Sequence, residues 1–388
     1  MRKNTWQKYA MLALMSFPIL GLANCGGSSS GSSGGSGGGA GGASAGGYLW
    51  EFSLIDGDLF FATIDSSTGQ LGAPTSSGGE ACNSLGTIPS IAVTPSDRFV
   101  FVIDKCFTGI HVYSVNGPGI ALTEISESPY ELPEDIDSIV IDPSGKFLYA
   151  VGMGQGTILQ FDVNATSGEL TLLSTTMVSA DIRQVITDPH GKFIFVNDLT
   201  GGHVYAYLIG GGSSLAAVPG SPFVVPANGQ PISLTMDGTG SFLYAPLISG
   251  GIAGFGVNGS TGALSDLGGS PFVTSEQPFT LAADSSGKYL YAIDAVSSNA
   301  IEVFGIGGAT GALTAINGSP FTTPAALNSL AIDPSGKFVY ATVNTTTLAD
   351  SSILGFAIDA SNGSISALPT SPYLAAPFPV DVVSLNVP

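Results

Sequence analysis

Positive charge, histidine and cysteine are scarce in this chain of 388 residues. It has 10 lysines and arginines against 29 aspartates and glutamates, with three histidines and three cysteines. Residues 48–388 hold all 29 acidic residues but only seven of the cations, which is a net charge of −22. Such a surface repels nucleic acid phosphates and anionic lipid head groups, so we expect no nucleic acid partner. Past the N-terminus, no apolar run is long enough to cross a membrane.

The first 47 residues differ in composition from the rest. MRKNTWQKYAMLALMSFPILGLANC has a basic start and an apolar run of signal-peptide length, and its end, Leu22 to Cys25, resembles a bacterial lipobox. We therefore expect residues 1–25 to be a lipoprotein-type signal peptide with Cys25 lipidated; an ordinary secretory signal or an uncleaved anchor are the alternatives. Residues 26–47 are rich in glycine and serine and predict a flexible tether. The expected location is extracytoplasmic, facing the periplasm or at the cell surface, with the N-terminal lipid as the only membrane contact.

A strand–turn–strand motif recurs through residues 48–388. SIVIDPSGKFLYAVG from Ser138 returns almost unchanged as SLAIDPSGKFVYATV from Ser329. The turn residues of the six copies are Thr94, Asp142, Asp188, Asp237, Asp284 and Asp333. Their separations are 48, 46, 49, 47 and 49 residues. A period near 48 in a strand-rich sequence predicts a β-propeller.

One repeat predicts four antiparallel strands. SIVID, KFLYAVGM, TILQFDV and LTLLS alternate with turn sequences, and Asp142 is placed to cap the amides of the PSG turn. A Ser-Pro-aromatic marker ends the fourth strand in five repeats.

The repeat count predicts how the ring closes. Six complete repeats leave a segment with outer-strand material from Tyr48 and a lone inner strand, PVDVVSLNVP, at the other end. We expect these two pieces to form one composite blade, which leaves no open sheet edge. The predicted fold is an all-β, seven-bladed propeller over 48–388, with four antiparallel strands per blade.

The repeated DPSGKF[LV]YA, the following I-x-x-[FY] and the TGxL hairpin resemble the seven-bladed lactonase family, which includes 6-phosphogluconolactonase-like propellers. The resemblance covers essentially all of 48–388. It implies a propeller whose loop-rich face, opposite the DPSGK turns, holds any substrate.

Few residues on the loop-rich face have catalytic chemistry. Arg183, Asp198 and His203 fall on loops or strand ends of one repeat. A base, a cation and an orienting carboxylate could open a lactone, with water activated by His203 and the oxyanion stabilised by Arg183. The alternative is three unrelated polar residues. The cations of the DPSGK turns, like His190, belong to the opposite face.

Two cysteines follow Cys25. Cys82 and Cys106 lie in loops that should share a face, so we expect a disulfide in an oxidising compartment, with two free thiols as the alternative. No motif for a cofactor or a metal is present, and none is expected.

The repeats specify the fold clearly, whereas few residues suited to catalysis are present. We therefore expect a monomeric binding or scaffold module for a protein or an envelope glycan. The alternative is a lactonase that hydrolyses a sugar lactone at the loop-rich face.

Overall fold

The structure is a computed structural model. It describes residues 45–53, 58–80, 90–104, 109–116, 121–132, 136–152, 156–179, 181–210, 215–275, 277–294, 299–343, 351–375 and 379–385.

Within the described residues, the chain up to Val224 forms seventeen strands. The N-terminal segment contributes β1 (Ala45–Ser53), β2 (Asp58–Asp65) and β3 (Thr75–Glu80). Blade 1 contains β4 (Ile91–Val93), β5 (Phe99–Asp104), β6 (Gly109–Asn116), β7 (Ala121–Glu124) and β8 (Tyr130–Glu131). Blade 2 contains β9 (Ser138–Ile141), β10 (Phe147–Gly152), β11 (Thr157–Val163) and β12 (Leu170–Met177). Blade 3 contains β13 (Ile182–Thr187), β14 (Phe193–Asp198), β15 (His203–Leu208), β16 (Ala216–Ala217) and β17 (Phe223–Val224).

The second half repeats the pattern after a one-turn 3-10 helix, Pro226–Asn228. Blade 4 contains β18 (Thr235–Met236), β19 (Phe242–Pro246), β20 (Ile252–Val257) and β21 (Leu264–Asp266). Blade 5 contains β22 (Pro278–Ala283), β23 (Tyr289–Asp294), β24 (Ala300–Ile306), β25 (Leu313–Ala315) and β26 (Phe321–Thr322). Blade 6 contains β27 (Leu327–Ile332), β28 (Phe338–Val343), β29 (Ser352–Ile358), β30 (Ile365–Ala367) and β31 (Tyr373–Leu374), and the last strand is β32 (Pro379–Leu385).

Six blades are each built from one continuous stretch of chain, with the first strand innermost. A further sheet, the terminal sheet, has the order β3-β2-β1-β32 and so combines both ends of the described chain. In it Tyr48 lies opposite Leu385 and Glu51 lies opposite Val382, in antiparallel register. The all-β propeller is confirmed.

Apolar side chains between neighbouring sheets form seven buried clusters. The terminal sheet takes part in two of them. Its Leu59 packs with residues of blade 1, and its Leu49 and Ile64 pack with residues of blade 6. The core is therefore a ring of interfaces between sheets, since each sheet buries both of its faces against neighbours.

The predicted four strands are found in blades 2 and 4, but the prediction is wrong for the other four blades. Blades 1, 3, 5 and 6 each have a fifth short strand, which pairs back onto the third strand of the same blade. The Ser-Pro-aromatic marker begins this fifth strand rather than ending the fourth. The serine holds it in place, since Ser128 Oγ accepts a hydrogen bond from Val112 N at 3.0 Å and Ser319 Oγ accepts one from Val303 N at 2.8 Å.

The repeated aspartate organises the turn between the first and second strands. Asp142 is buried, and its Oδ1 accepts hydrogen bonds from Lys146 N at 2.8 Å and Phe147 N at 2.6 Å. Its Oδ2 accepts one from Ser144 N at 3.1 Å. The predicted capping role of Asp142 is confirmed. Because one side chain satisfies three amides of a buried turn, the sequence repeats this residue in five of the six blades.

Tyrosines of the second strands join blades 4, 5 and 6 to the sheets that follow them. The hydroxyl of Tyr244 in blade 4 donates to the carbonyl of Gly311 in blade 5 at 2.7 Å. Tyr340 in blade 6 donates in the same way to Gly69 O of the terminal sheet, also at 2.7 Å. In these sheets, the hairpin before the fourth strand is therefore the part that the preceding blade contacts. Within the described ranges, no helix is long and apolar enough to span a bilayer.

Candidate functional site

The register of blade 3 brings the three predicted catalytic residues to one end of the blade. Asp198 ends β14 and lies directly opposite both Ile182 on β13 and His203 on β15. Residues directly opposite on one face have Cβ atoms about 5 Å apart. Arg183 follows Ile182, so all three predicted residues belong to the same rim.

Asp198 is held by its own turn. Its side chain is buried, and its Oδ1 accepts a hydrogen bond from Gly201 N at 2.8 Å. A Cβ at Gly201 would come within 2.2 Å of Asp198 Oδ2, so any other residue there would displace the Asp198 carboxylate. Asp198 therefore fixes the turn that leads into β15 and, with it, the start of the strand that carries His203.

Arg183 is already paired. Its Nε donates to Asp181 Oδ1 at 2.7 Å, with the arginine side chain 35% exposed and the aspartate 15% exposed. Asp181 also accepts a hydrogen bond from Leu199 N at its backbone oxygen, at 3.0 Å. Asp181 thus ties the guanidinium to the β14–β15 turn. A guanidinium has five N–H donors, so this pairing leaves others for a ligand.

His203 and Tyr205 form a partly exposed aromatic pair on β15. Their ring centroids are 6.4 Å apart, and the rings are tilted by 54°. Partial burial raises the pKa of the Tyr205 hydroxyl and the charge of Asp198 raises it further, against a hydrogen bond with the Ser179 side chain that lowers it. Tyr205 is therefore a neutral hydrogen-bonding group beside the histidine.

Sequence reasoning missed Tyr205 and Asp181. The signal for Tyr205 was present, because residues two apart on a strand share a face and 205 follows 203 at that spacing. Asp181 also lies two residues from Arg183, but a register irregularity between Ile182 and Val185 makes the local pattern difficult to interpret.

A strained loop covers the same rim. Val225 N donates to Gly202 O at 2.9 Å, which fastens the segment after β17 to the β14–β15 turn. In this segment Ala227 and Asn228 have φ values of 59° and 51°. Non-glycine residues in this region cost free energy and cluster at functional sites.

The other predicted site residues were Cys25, Cys82 and Cys106. All three lie outside the described residues, so lipidation and the disulfide stay predictions. Within the described ranges, no three histidine, cysteine, aspartate or glutamate side chains are grouped to hold a metal ion.

The opposite face has the cations of the DPSGK turns. These side chains are exposed in every case: Arg98, Lys146, Lys192, Lys288 and Lys337. Two of them contact the hairpin of the next blade, since Arg98 Nη1 donates to Ala165 O and Lys192 Nζ donates to Gly259 O, each at 3.1 Å. His190 lies on this face as predicted, with its side chain 59% exposed.

The fold and its ring of sheets define a β-propeller. The family model "Lactonase, 7-bladed beta-propeller" matches residues 82–186 and 243–343, just over half of the chain. The chain belongs to this family, and the resemblance seen in the repeats is confirmed.

Individual relatives are more distant. A segment of 84 residues is 31% identical to a 6-phosphogluconolactonase of Serratia proteamaculans, and it covers 22% of this chain and 25% of that protein. A candidate 6-phosphogluconolactonase of Bacteroides uniformis superposes with a TM-score of 0.73 at 16% identity, over 88% of this chain and all of that one. The periplasmic gluconolactonase of Pseudomonas aeruginosa superposes with a TM-score of 0.67 at 19% identity, over 89% of this chain and all of that one. The two structural likenesses establish the fold alone.

The family match leaves part of the candidate site uncovered. Arg183 lies inside the first matched segment, whereas Asp198 and His203 lie between the two segments. Any role for these two residues therefore has to be argued from their own geometry.

Proposed function

We propose that the protein is a lactone hydrolase that opens a sugar lactone at the rim of blade 3. The observation that supports this most directly is the cross-strand placement of Asp198 opposite His203, with Arg183 one residue beyond Ile182 on the adjoining strand. Membership of the lactonase family supports the reaction class, and the names of the relatives suggest a sugar lactone.

In the proposed reaction, water attacks the lactone carbonyl carbon. His203 takes a proton from the water, and an N–H of Arg183 that Asp181 does not use stabilises the oxyanion of the tetrahedral intermediate. The ring C–O bond then breaks, and His203 returns the proton to the departing alkoxide. The product is the open hydroxy acid.

The two carboxylates act as positioning residues. Asp181 orients the guanidinium through the 2.7 Å contact between its Oδ1 and Arg183 Nε. Asp198 fixes the turn before His203 through Gly201 N. Neither needs to touch the substrate.

The test is turnover of glucono-1,5-lactone, followed by acid release and corrected for spontaneous hydrolysis in the same buffer. We expect His203→Ala to lower kcat/KM by about 100-fold, as for loss of a general base, and Arg183→Ala by about 10- to 100-fold. Lys337→Ala removes an exposed cation from the opposite face and should leave the rate within about twofold of wild type. A wild-type rate equal to the spontaneous rate, or an unaltered His203→Ala enzyme, would refute the proposal.

A binding role without catalysis is the second candidate. It is favoured by the fact that the side chains of Arg183 and Asp198 are already engaged, the first by Asp181 and the second by Gly201 N. The two candidates are separated by one outcome: a lactone that perturbs the His203 imidazole resonance without being hydrolysed supports binding alone.

A further inference from the structure

A small cleft lies on the turn face, between blades 3 and 4. It has a volume of about 140 Å³, and its lining includes Asp188, His190, Lys192, Gly240, Ser241 and Gly259. It is far from the proposed catalytic rim, because β14 begins at the cleft and ends at Asp198, which is about 17 Å of strand.

Two substitutions in the repeat create this cleft. His190 stands where four other turns have serine, at Ser96, Ser144, Ser286 and Ser335. Ser241 stands where the other five turns have lysine or arginine. The short serine leaves space at blade 4, and the histidine adds ring nitrogens beside the lysine of blade 3.

The donors of the cleft are available. Lys192 Nζ uses one of its three N–H donors on Gly259 O at 3.1 Å, which fixes the ammonium across the cleft and leaves two donors. His190 Nδ1 lies 3.6 Å from Asp188 Oδ2, so Nε2 on the far side of the ring is left for a ligand. A Cβ at Gly240 would lie 3.0 Å from His190 Nδ1, which shows that the ring rests against the turn of blade 4.

Two carboxylates lie at or near the cleft and are engaged by the amides of their own turns. Asp188 and Asp237 are buried at the base of the two turns, and each accepts amide hydrogen bonds from its own turn, such as Phe193 N to Asp188 Oδ1 at 2.6 Å and Phe242 N to Asp237 Oδ1 at 2.7 Å. The charged groups that face His190 are therefore Asp188, through Nδ1, and Lys192.

We propose that this cleft binds a small oxyanion of the phosphate class, held by the Lys192 ammonium and the His190 imidazole, with the Ser241 hydroxyl beside them. A charge-assisted hydrogen bond from the ammonium, with a ring nitrogen and a hydroxyl beside it, is the kind of contact that recognises such an anion. The volume suits one phosphate group and is well below the roughly 300 Å³ of pockets that enclose larger ligands.

The test uses the three imidazole resonances of the intact chain, one each from His111, His190 and His203. Each is assigned by a single variant, and inorganic phosphate, glucose 6-phosphate and glucose are titrated at constant ionic strength. We expect both phosphates to shift the His190 resonance with a millimolar Kd and to leave His203 unaffected, while glucose shifts neither. Equal affinities for inorganic phosphate and glucose 6-phosphate would show that the site recognises the phosphate group alone. Tighter binding of glucose 6-phosphate would show that the site also contacts the sugar. Either result supports the proposed site.

Matched variants test the assignment of donors. Lys192→Ala should weaken binding about fivefold, whereas Lys288→Ala, the same change in the turn of blade 5, should not. Sulfate should protect wild type against thermal unfolding more than it protects His190→Ser, which restores the serine of the other turns and removes the ring nitrogens.

Two results would overturn the proposal. One is the absence of any His190 shift with 20 mM phosphate of either kind. The other is an equal loss in Lys192→Ala and Lys288→Ala, which would mean that the anion responds only to the general charge of the turn face. Neither result depends on lactone hydrolysis, because His203 and the opposite rim are not involved.

Discussion

The single residue that explains most of the repeat is the buried aspartate of the first turn. In blade 6, Asp333 Oδ1 accepts hydrogen bonds from Lys337 N at 2.8 Å and Phe338 N at 2.6 Å, and Oδ2 accepts one from Ser335 N at 3.0 Å. In blade 1 Thr94 has the same role, because its Oγ1 accepts hydrogen bonds from Arg98 N and Phe99 N at 3.1 Å each. The turn thus needs a short side chain with an acceptor, and not a negative charge as such.

This requirement predicts the effect of substitution at Asp333. Asp333→Ala should lower the free energy of unfolding by about 3 kcal/mol, because it leaves buried amides without acceptors. Asp333→Thr copies blade 1 and should recover at least half of that loss. Urea unfolding of the two variants and wild type measures both effects. Equal losses in the two variants would mean that the hydrogen bonds are not the cause.

At the scale of the element, the hairpin between the third and fourth strands is the joint between blades. Gly311 has a φ of +65°, and a Cβ there would lie 2.4 Å from the ring of Phe242 and 2.6 Å from Leu267 Cδ1, both in blade 4. The same hairpin also supplies the carbonyl that the hydroxyl of Tyr244 contacts. The TGxL motif is therefore a packing motif of the interface between two blades.

Gly311→Ala should destabilise the protein by about 3 kcal/mol, since it combines backbone strain with overlap in a packed interface. Gly308→Ala in the same hairpin is the control. A Cβ there would meet no described heavy atom within 4 Å, so the change should stay within about 0.5 kcal/mol. Thermal unfolding of both variants provides the comparison. If Gly308→Ala costs as much as Gly311→Ala, loss of chain flexibility and not packing governs the hairpin.

The sequence predicts some of these elements far better than others. The turn of Asp142 and the strands that flank it can be predicted from the sequence, because the repeat period, the turn residues and the alternation of apolar residues all indicate the same structure. The fifth strands are not, because two residues such as Phe223–Val224 are too few to show alternation. The same limit applies to the site: the rim shared by Asp198 and His203 follows from strand order, whereas the pairing of Arg183 with Asp181 depends on side-chain directions.

At the scale of the whole molecule, charge and sequence order suggest where the protein works. A propeller domain of net charge −22 gains nothing from an anionic membrane surface, so attachment would have to come from the N-terminal segment. We propose that Cys25 carries the lipid and that residues 26–44, which precede β1, hold the propeller at a short distance from the bilayer.

Cys25→Ser should release the protein from the membrane. In a bacterial host, the wild-type chain should partition into the detergent phase and the variant into the aqueous phase, because the variant has no acyl chains to bury. Cys82→Ser leaves the proposed anchor intact and should partition with wild type. A variant at Cys25 that still partitions with detergent would point to an uncleaved N-terminal anchor.

The terminal sheet also determines how the molecule bears load. Strand β1 is flanked by β2 on one side and by β32 on the other. A pull on the chain before Ala45 therefore acts along a central strand and is resisted in shear by two hydrogen-bond ladders at once. Mechanical tension would meet far more resistance there than at an edge strand, whose single ladder opens one rung at a time.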